Sequence, residues 1–247
     1  MTASRILEVA ELDLRVEPWD WPFAADRAAE IRSYWERKLK AQPRLFNGRV
    51  LLMAQHAFET RADGTILLRG VYFETDFAAF LAWRDFGFPG ESVCNGFSMA
   101  ALQGSDGAFL LGEMAAHTAN AGAIYFAAGT PDRQDVFGDR LDLEASATRE
   151  LEEETGIAAS ETSYGANWIV VDAPPRVACM KIMRLSTPAE AAKGRIEAFL
   201  ARESHPELAR IHIARRPEDV DTARAPASVL DFLRYALPVP SALVGEG

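Results

Sequence analysis

One stretch near the middle of the chain has the residue types to hold a metal. From Thr148 to Ile157 the sequence reads TRELEEETGI, with one arginine and four glutamates ahead of a glycine and an isoleucine. On a helix, Glu150, Glu153 and Glu154 stand at i, i+3 and i+4 and share one face, while Glu152 falls off it. Three carboxylates on one face repel each other unless a positive charge sits among them. A hard divalent cation such as Mg²⁺ or Mn²⁺, which prefers oxygen ligands, meets that need. Arg149 lies on a neighbouring face, where it can pair with Glu153 or anchor the helix to a loop carboxylate or carbonyl. Leu151 points away from the carboxylates and, with Ala147 and Ile157, can dock the helix on a core. On charge alone, an acidic helix face turned to solvent is the competing reading.

The surrounding elements must position this helix. Asp142 is a suitable N-cap and Gly156 a suitable C-terminal glycine, which predicts a helix from Leu143 to Thr155. Before it, TPDRQDVFGDRL reads as a polar loop and AIYFAAG as a short apolar strand. Strand–turn–strand units are predicted around Ala62-Asp63-Gly64 and Ser105-Asp106-Gly107. The N-terminal ILEVAELDLRVEP alternates as one strand, and a helix with a stripe of Ala28, Ile31, Trp35 and Leu39 follows it. After the acidic helix come two strands flanking Pro174-Pro175, a helix capped by Thr187 with Pro188 first, the strand LARIHIAR and a closing helix APASVLDFLRYAL. Interspersed strands and helices with several hairpins favour a mixed sheet between helices over a doubly wound parallel sheet. Residues 1–92 are expected to form an N-terminal extension and residues 93–247 the main domain.

Composition narrows the class of function. The 247 residues are 49% hydrophobic and 25% charged, ordinary values for a globular chain with a real core. The net charge of -10 argues against a broad nucleic-acid footprint, although bound metal can invert the local field for an anionic small molecule. Two cysteines, Cys94 and Cys179, make a disulfide framework improbable and are expected to be reduced. No signal peptide and no membrane span is expected, and the expected location is the cytoplasm.

RELEEETGI resembles the second half of the Nudix box, G-x5-E-x7-R-E-U-x-E-E-x-G-U with U aliphatic. Arg149, Glu150, Leu151, Glu153, Glu154, Gly156 and Ile157 all fit that pattern. LLGEM and AIYFAAGTPD resemble the strand and loop that lead into the box, with Ala128-Gly129 where the family has Gly-Gly. The resemblance spans about Gly96 to Arg215 and leaves the first ninety residues unexplained. It implies an α/β/α sandwich with a mixed sheet. It also implies a Mg²⁺- or Mn²⁺-dependent pyrophosphohydrolase in which Glu150, Glu153 and Glu154 hold the metal, one of them a base, and Arg149 positions the helix. The first half of the box departs from the pattern: Leu141 stands at the glutamate position and Asp135 at the glycine position. If Gly129 is the box glycine, its separation from Arg149 is 20 residues instead of 14, an insertion of six.

Glu144 or Asp142 could supply the missing carboxylate, and Glu203 or Glu207 a further one from a late loop. Glu113, Asp132 and Arg133 are weaker candidates, and the four histidines show no metal spacing. The expected substrate is a nucleoside diphosphate linked to another moiety, with a nucleotide sugar as one option, and no nucleic-acid or membrane partner. The first ninety residues would shape the substrate pocket or a homodimer interface. The second reading is a Nudix-fold module that binds a nucleotide without hydrolysing it; the altered head of the box supports it.

Overall fold

The computed structural model describes residues 4–90 and 93–237. The first strands are β1 (Arg5–Val9) and β2 (Glu11–Val16), followed by α1 (Pro22–Asp26), α2 (Ala28–Ala41), β3 (Arg49–Thr60), β4 (Ile66–Asp76) and α3 (Phe77–Asp85). Next come β5 (Asn95–Gln103), β6 (Phe109–Met114), β7 (Ile124–Tyr125), β8 (Val136–Phe137), β9 (Arg140–Leu141) and α4 (Leu143–Thr155). The chain continues through β10 (Thr162–Ser163), β11 (Trp168–Ala173), β12 (Arg176–Leu185), α5 (Ala189–Leu200), β13 (Leu208–Ala214) and α6 (Ala227–Ala236).

The strands form two mixed sheets. The larger runs β1-β11-β12-β5-β6-β13, with β10 on β12 and β7 on β6; its β12–β5 pair is parallel. The smaller runs β3-β4-β2-β9-β8, and its β2–β4 pair is parallel. Helices cover both faces of the larger sheet. Phe109 and Leu110 are consecutive on β6 and so face opposite ways. The Phe109 ring meets Phe232 of α6 at 5.4 Å, while Leu110 lines a small internal cavity with Leu151 of α4 and Ile196 of α5. The α/β/α sandwich with a mixed sheet is therefore present, with a second mixed sheet beside it.

The two sheets share a core. Leu14, Leu51, Met53, Leu68 and Tyr72 of the smaller sheet pack with Val170, Val177 and Cys179 of the larger, and Leu141 and Leu143 close the group at the entry to α4. Both cysteines are free and buried there. A second aromatic core lies under α2 and α3, where Tyr34 and Trp83 are buried. His56 of β3 reaches across to Asp172 of β11 at 3.2 Å, and Arg5 of β1 meets the same carboxylate at 2.6 Å.

Three expectations differ in detail. ILEVAELDLRVEP is two strands, because Ala10 turns out to donate to the Ile66 carbonyl (2.8 Å) and the chain changes sheets there. Thus β1 joins the larger sheet beside β11 while β2 joins the smaller one. The loop before α4 contains the hairpin β8–β9, which extends the smaller sheet through Arg15↔Arg140. Pro188, not Thr187, caps α5, since its extended backbone (ψ 155°) precedes the first helical residue. The expected boundary after residue 92 falls at a position outside the described residues.

Candidate metal and active site

The sequence fixes the limits of α4 by its caps. The Asp142 carboxylate accepts from the backbone N–H groups of Glu144 and Ala145, both at 2.9 Å. That satisfies two of the donors a helix start leaves open. At the other end Gly156 adopts φ 68°, a left-handed conformation that suits glycine. Ala147 and Leu151 are fully buried against the larger sheet, so the docking face set by their spacing fixes the rotation of the helix. The glutamates then follow: Glu154 is buried, Glu150 nearly so, and Glu152 and Glu153 are exposed.

The two inner carboxylates form the core of the site. Glu154 Oε1 accepts weakly from the Ala128 N–H at 3.4 Å, and its Oε2 is buried with no partner among the described residues. Burial, then the charges of Glu150 and Glu207, push Glu154 well above the ordinary carboxylate range. Glu150 is pushed up to about 7, chiefly by burial; Arg149 opposes the shift, and Glu153, Glu207 and Asp135 add to it. Gly129 makes room for this carboxylate, since a Cβ there would lie 2.6 Å from the Glu150 carboxyl carbon. Glycine at 129 thus answers to the close approach of a flexible side chain, not to backbone conformation.

Arg149 ties the helix to the preceding loop. Its Nη1 donates to Glu150 at 2.9 Å and to Glu153 at 3.3 Å. Its Nη2 donates to both oxygens of Asp135, at 3.1 and 3.2 Å. Asp135 is buried, and its carboxylate also accepts from the Asp132 N–H at 3.1 Å. Sequence reasoning placed Asp135 only as a departure from the box glycine, whereas it is the carboxylate partner of Arg149. Leu141, at the box glutamate position, is buried in the core between the sheets.

The weaker candidates separate. Glu207 is exposed, and its charge is among the causes raising both Glu150 and Glu154. Glu144 turns to Lys181 of β12, at 2.8 Å, and Asp142 serves as the helix cap. Lys181 is buried, 4.5 Å above the Trp168 ring. Glu203 is exposed in the turn after α5 and makes no ion pair among the described residues. Glu113 pairs with His212 at 2.9 Å and Arg224 at 2.6 Å on the β6–β13 ladder. Asp132 caps a short turn, and Arg133 pairs with Glu74. Tyr125, which the spacing did not single out, belongs to the surroundings of the pair. Burial raises its hydroxyl, which accepts from Asn120 at 3.1 Å, and the charges of Glu154 and Glu207 raise it further.

The donor set fits a hard cation in part. Among the described residues, no three His, Cys, Asp or Glu side chains stand close enough together to grip an ion as placed. The Glu153 side chain is 60% exposed and bonded to Arg149. Two features nevertheless fit a cation beside Glu150 and Glu154. One is the buried Glu154 Oε2 with no partner among the described residues, and the other is the close seat that Gly129 gives the Glu150 carboxylate. A buried carboxylate set against the charge of its neighbour is stabilised by a cation or by a proton.

No protein-family model matches the chain, and no curated protein matches it. Three solved structures share part of its shape. They are a Nudix hydrolase from M. smegmatis, RenU (13% identity, 60% of this chain and 88% of that one, TM-score 0.36), and the MutT protein from Methanosarcina mazei Go1 (18%, 57% and 91%, TM-score 0.35). The third is a mutant of the Bacillus subtilis pyrophosphohydrolase BsRppH (14%, 57% and 78%, TM-score 0.30). Likenesses at this level carry no weight for function, and the functional reading rests on the residues.

Proposed function

We propose that this chain is a Nudix-type hydrolase that uses Mg²⁺ or Mn²⁺ to cleave the diphosphate of a nucleoside diphosphate linked to another moiety, a nucleotide sugar being one such substrate. The observation that carries the proposal is the buried Glu150–Glu154 pair, with an oxygen left unpartnered, on a helix whose sequence follows the second half of the box. Glu150 and Glu154 would hold the cation, with Glu153 joining them by turning away from Arg149. A bound cation supplies an acidified water and offsets charge building on phosphate oxygens. In this reading Glu207, exposed in the turn before β13, would accept the proton of the attacking water at its carboxylate. Ala128 and Gly129 border the inner carboxylates, Ala128 through its N–H on Glu154 and Gly129 against Glu150.

In this reading residues 93–247 carry the chemistry and residues 1–92 brace it, with β1 lent to the larger sheet. The buried free cysteines suit a reducing cytoplasm. Among the described residues, no helix is long and apolar enough to cross a membrane. A homodimer built on the first ninety residues is part of the same proposal.

A second reading is favoured by one observation, the absence of a ready set of three ligands among the described residues. It is a nucleotide-binding module without turnover. A panel of nucleotide sugars, dinucleotides and nucleoside triphosphates, incubated with Mg²⁺ or Mn²⁺ and read as phosphate released after phosphatase treatment, separates the two. Turnover of one class supports the hydrolase. Binding without turnover across the panel supports the module.

A further inference from the structure

We infer that the cleft between the end of α2 and the turn at residues 115–118 is a subsite for the sugar-phosphate half of the substrate, with Arg44 and His117 holding its phosphate. The inference deepens the proposed function and rests on it: the moiety beyond the cleaved bond is a phosphorylated monosaccharide. The cleft has a volume of about 300 Å³ and is lined by Ala41, Gln42, Pro43 and Arg44 on one side and by Ala116 and His117 on the other. That is the low end for small-molecule sites, with room for one sugar ring and its phosphate but not for a whole dinucleotide. Arg44 and His117 stand one on each wall. Both are exposed, and neither has an ion-pair partner among the described residues. In a chain with a net charge of -10, two facing donors of this kind are a local exception. A guanidinium and an imidazole both offer N–H groups that suit phosphate oxygens.

Both walls are held in place. The Gln42 N–H donates to the Lys38 carbonyl at 2.7 Å, and the Gln42 carbonyl accepts from Leu45 at 3.1 Å, which shapes the segment that carries Arg44. Across the cleft, the Thr118 N–H and hydroxyl both donate to the Ala115 carbonyl, at 3.1 and 2.9 Å, which closes the turn that carries His117. The Gln42 side-chain amide joins the two walls by donating to the Thr118 carbonyl at 3.1 Å. This brace sets the width of the cleft before a ligand arrives, and so lowers the ordering cost of binding. The Ala115 N–H donates to the Glu207 carbonyl at 2.8 Å, so the second wall begins at the residue given the proton-accepting role above. Helix α2 also ends here, and its C-terminal dipole opposes an anion. That dipole is worth about half a unit charge and fades within one turn, less than the Arg44 charge alone supplies.

The test is calorimetric titration of the full chain, in EDTA, with glucose 1-phosphate and with ribose 5-phosphate, beside Arg44→Ala and His117→Ala. Saturable binding of at least one compound by wild type is expected. Each variant should weaken it about 10- to 100-fold, the usual effect of removing a hydrogen bond to a charged group. Both side chains are exposed, so the variants should melt with wild type. Arg32→Ala removes an equal charge from the first half of α2, outside the cleft lining, and no change is expected there. No binding of either compound, binding undiminished in either variant, or an equal loss in Arg32→Ala would overturn the inference. Turnover separates it from the proposed function. If the chain hydrolyses nucleotide sugars, Arg44→Ala should raise KM for them with kcat within about twofold, and leave nucleoside triphosphates unaffected. An unchanged KM overturns the inference and leaves the hydrolase standing. Sugar phosphate bound in the cleft of a chain that hydrolyses no nucleotide sugar sinks the hydrolase reading and leaves the binding site standing.

Discussion

Removing the charge of Glu150 should make the metal-free protein more stable. Burial is the main cause that raises its carboxyl from 4.5 to about 7, and the isolated ionised form is therefore the unfavourable one in the fold. The sign follows directly. A carboxyl whose folded value is raised binds protons more tightly in the folded state. Stability is then lost as pH rises from about 4.5 through about 7 and stays lower above that. At about 1.4 kcal/mol per pH unit, this interval corresponds to a cost on the order of 3 kcal/mol at pH 8. The Glu150 side chain is only 14% exposed, so solvent screening removes little of it. Glu150→Gln keeps the volume beside Gly129 and an oxygen that accepts from Arg149, while the cost disappears. For a chain of this size the melting temperature in EDTA at pH 8 should rise by about 5–10 °C, and the gain should shrink toward pH 4.5. Differential scanning fluorimetry across that pH range measures it. A variant that melts at or below wild type at pH 8, or a gain independent of pH, would refute the claim that this carboxylate is buried without adequate compensation.

Other perturbations follow from the same structure. Gly129→Ala pushes a methyl group against the Glu150 carboxylate and should weaken Mn²⁺ binding while leaving the fold intact, since the obstructing atoms end a flexible side chain; equal affinity by titration calorimetry would count against it. Lys181→Ala removes the buried partner of Glu144 and the cation above Trp168, and it opens a cavity. A loss of about 2–4 kcal/mol in urea unfolding is expected, and an unchanged midpoint would contradict it. The Asp172 hydrogen bond is the main cause that raises His56 from 6.5 to about 9. A raised histidine contributes stability that is full below about pH 6.5 and lost as pH rises through about 9. Wild type should therefore lose more melting temperature than His56→Gln between pH 6.5 and 9, and parallel curves would refute this.

The helix that carries the chemistry was legible because its determinants are local. Asp142, Gly156 and the spacing of Ala147 and Leu151 fix its ends and its rotation, and the rotation decides which glutamates turn inward. Local register alone did not reveal that Glu153, although on the same face, is the exposed member. That depends on Arg149 reaching it from one turn away. The partnership of Asp135 with Arg149 was hidden for a different reason. It joins residues 14 apart through a hairpin that forms only against β2, a strand more than a hundred residues earlier in the chain. The split of the N-terminal run between two sheets is also non-local, because β1 and β2 carry similar apolar alternation and differ only in the neighbours each finds. Lys181 did offer a signal. A lysine inside the apolar run VACMKIMRL must be compensated if the strand is buried, and Glu144 provides the compensation.

The central claim, that Glu150 and Glu154 form a cation site, is tested most directly by titrating the metal-free chain with Mn²⁺ in a calorimeter beside the Glu150→Gln/Glu154→Gln variant. Saturable binding by the wild-type chain, abolished in a variant that melts at least as high, is the result expected. A wild-type chain that takes up no Mn²⁺, or a variant that binds it equally well, would contradict the claim.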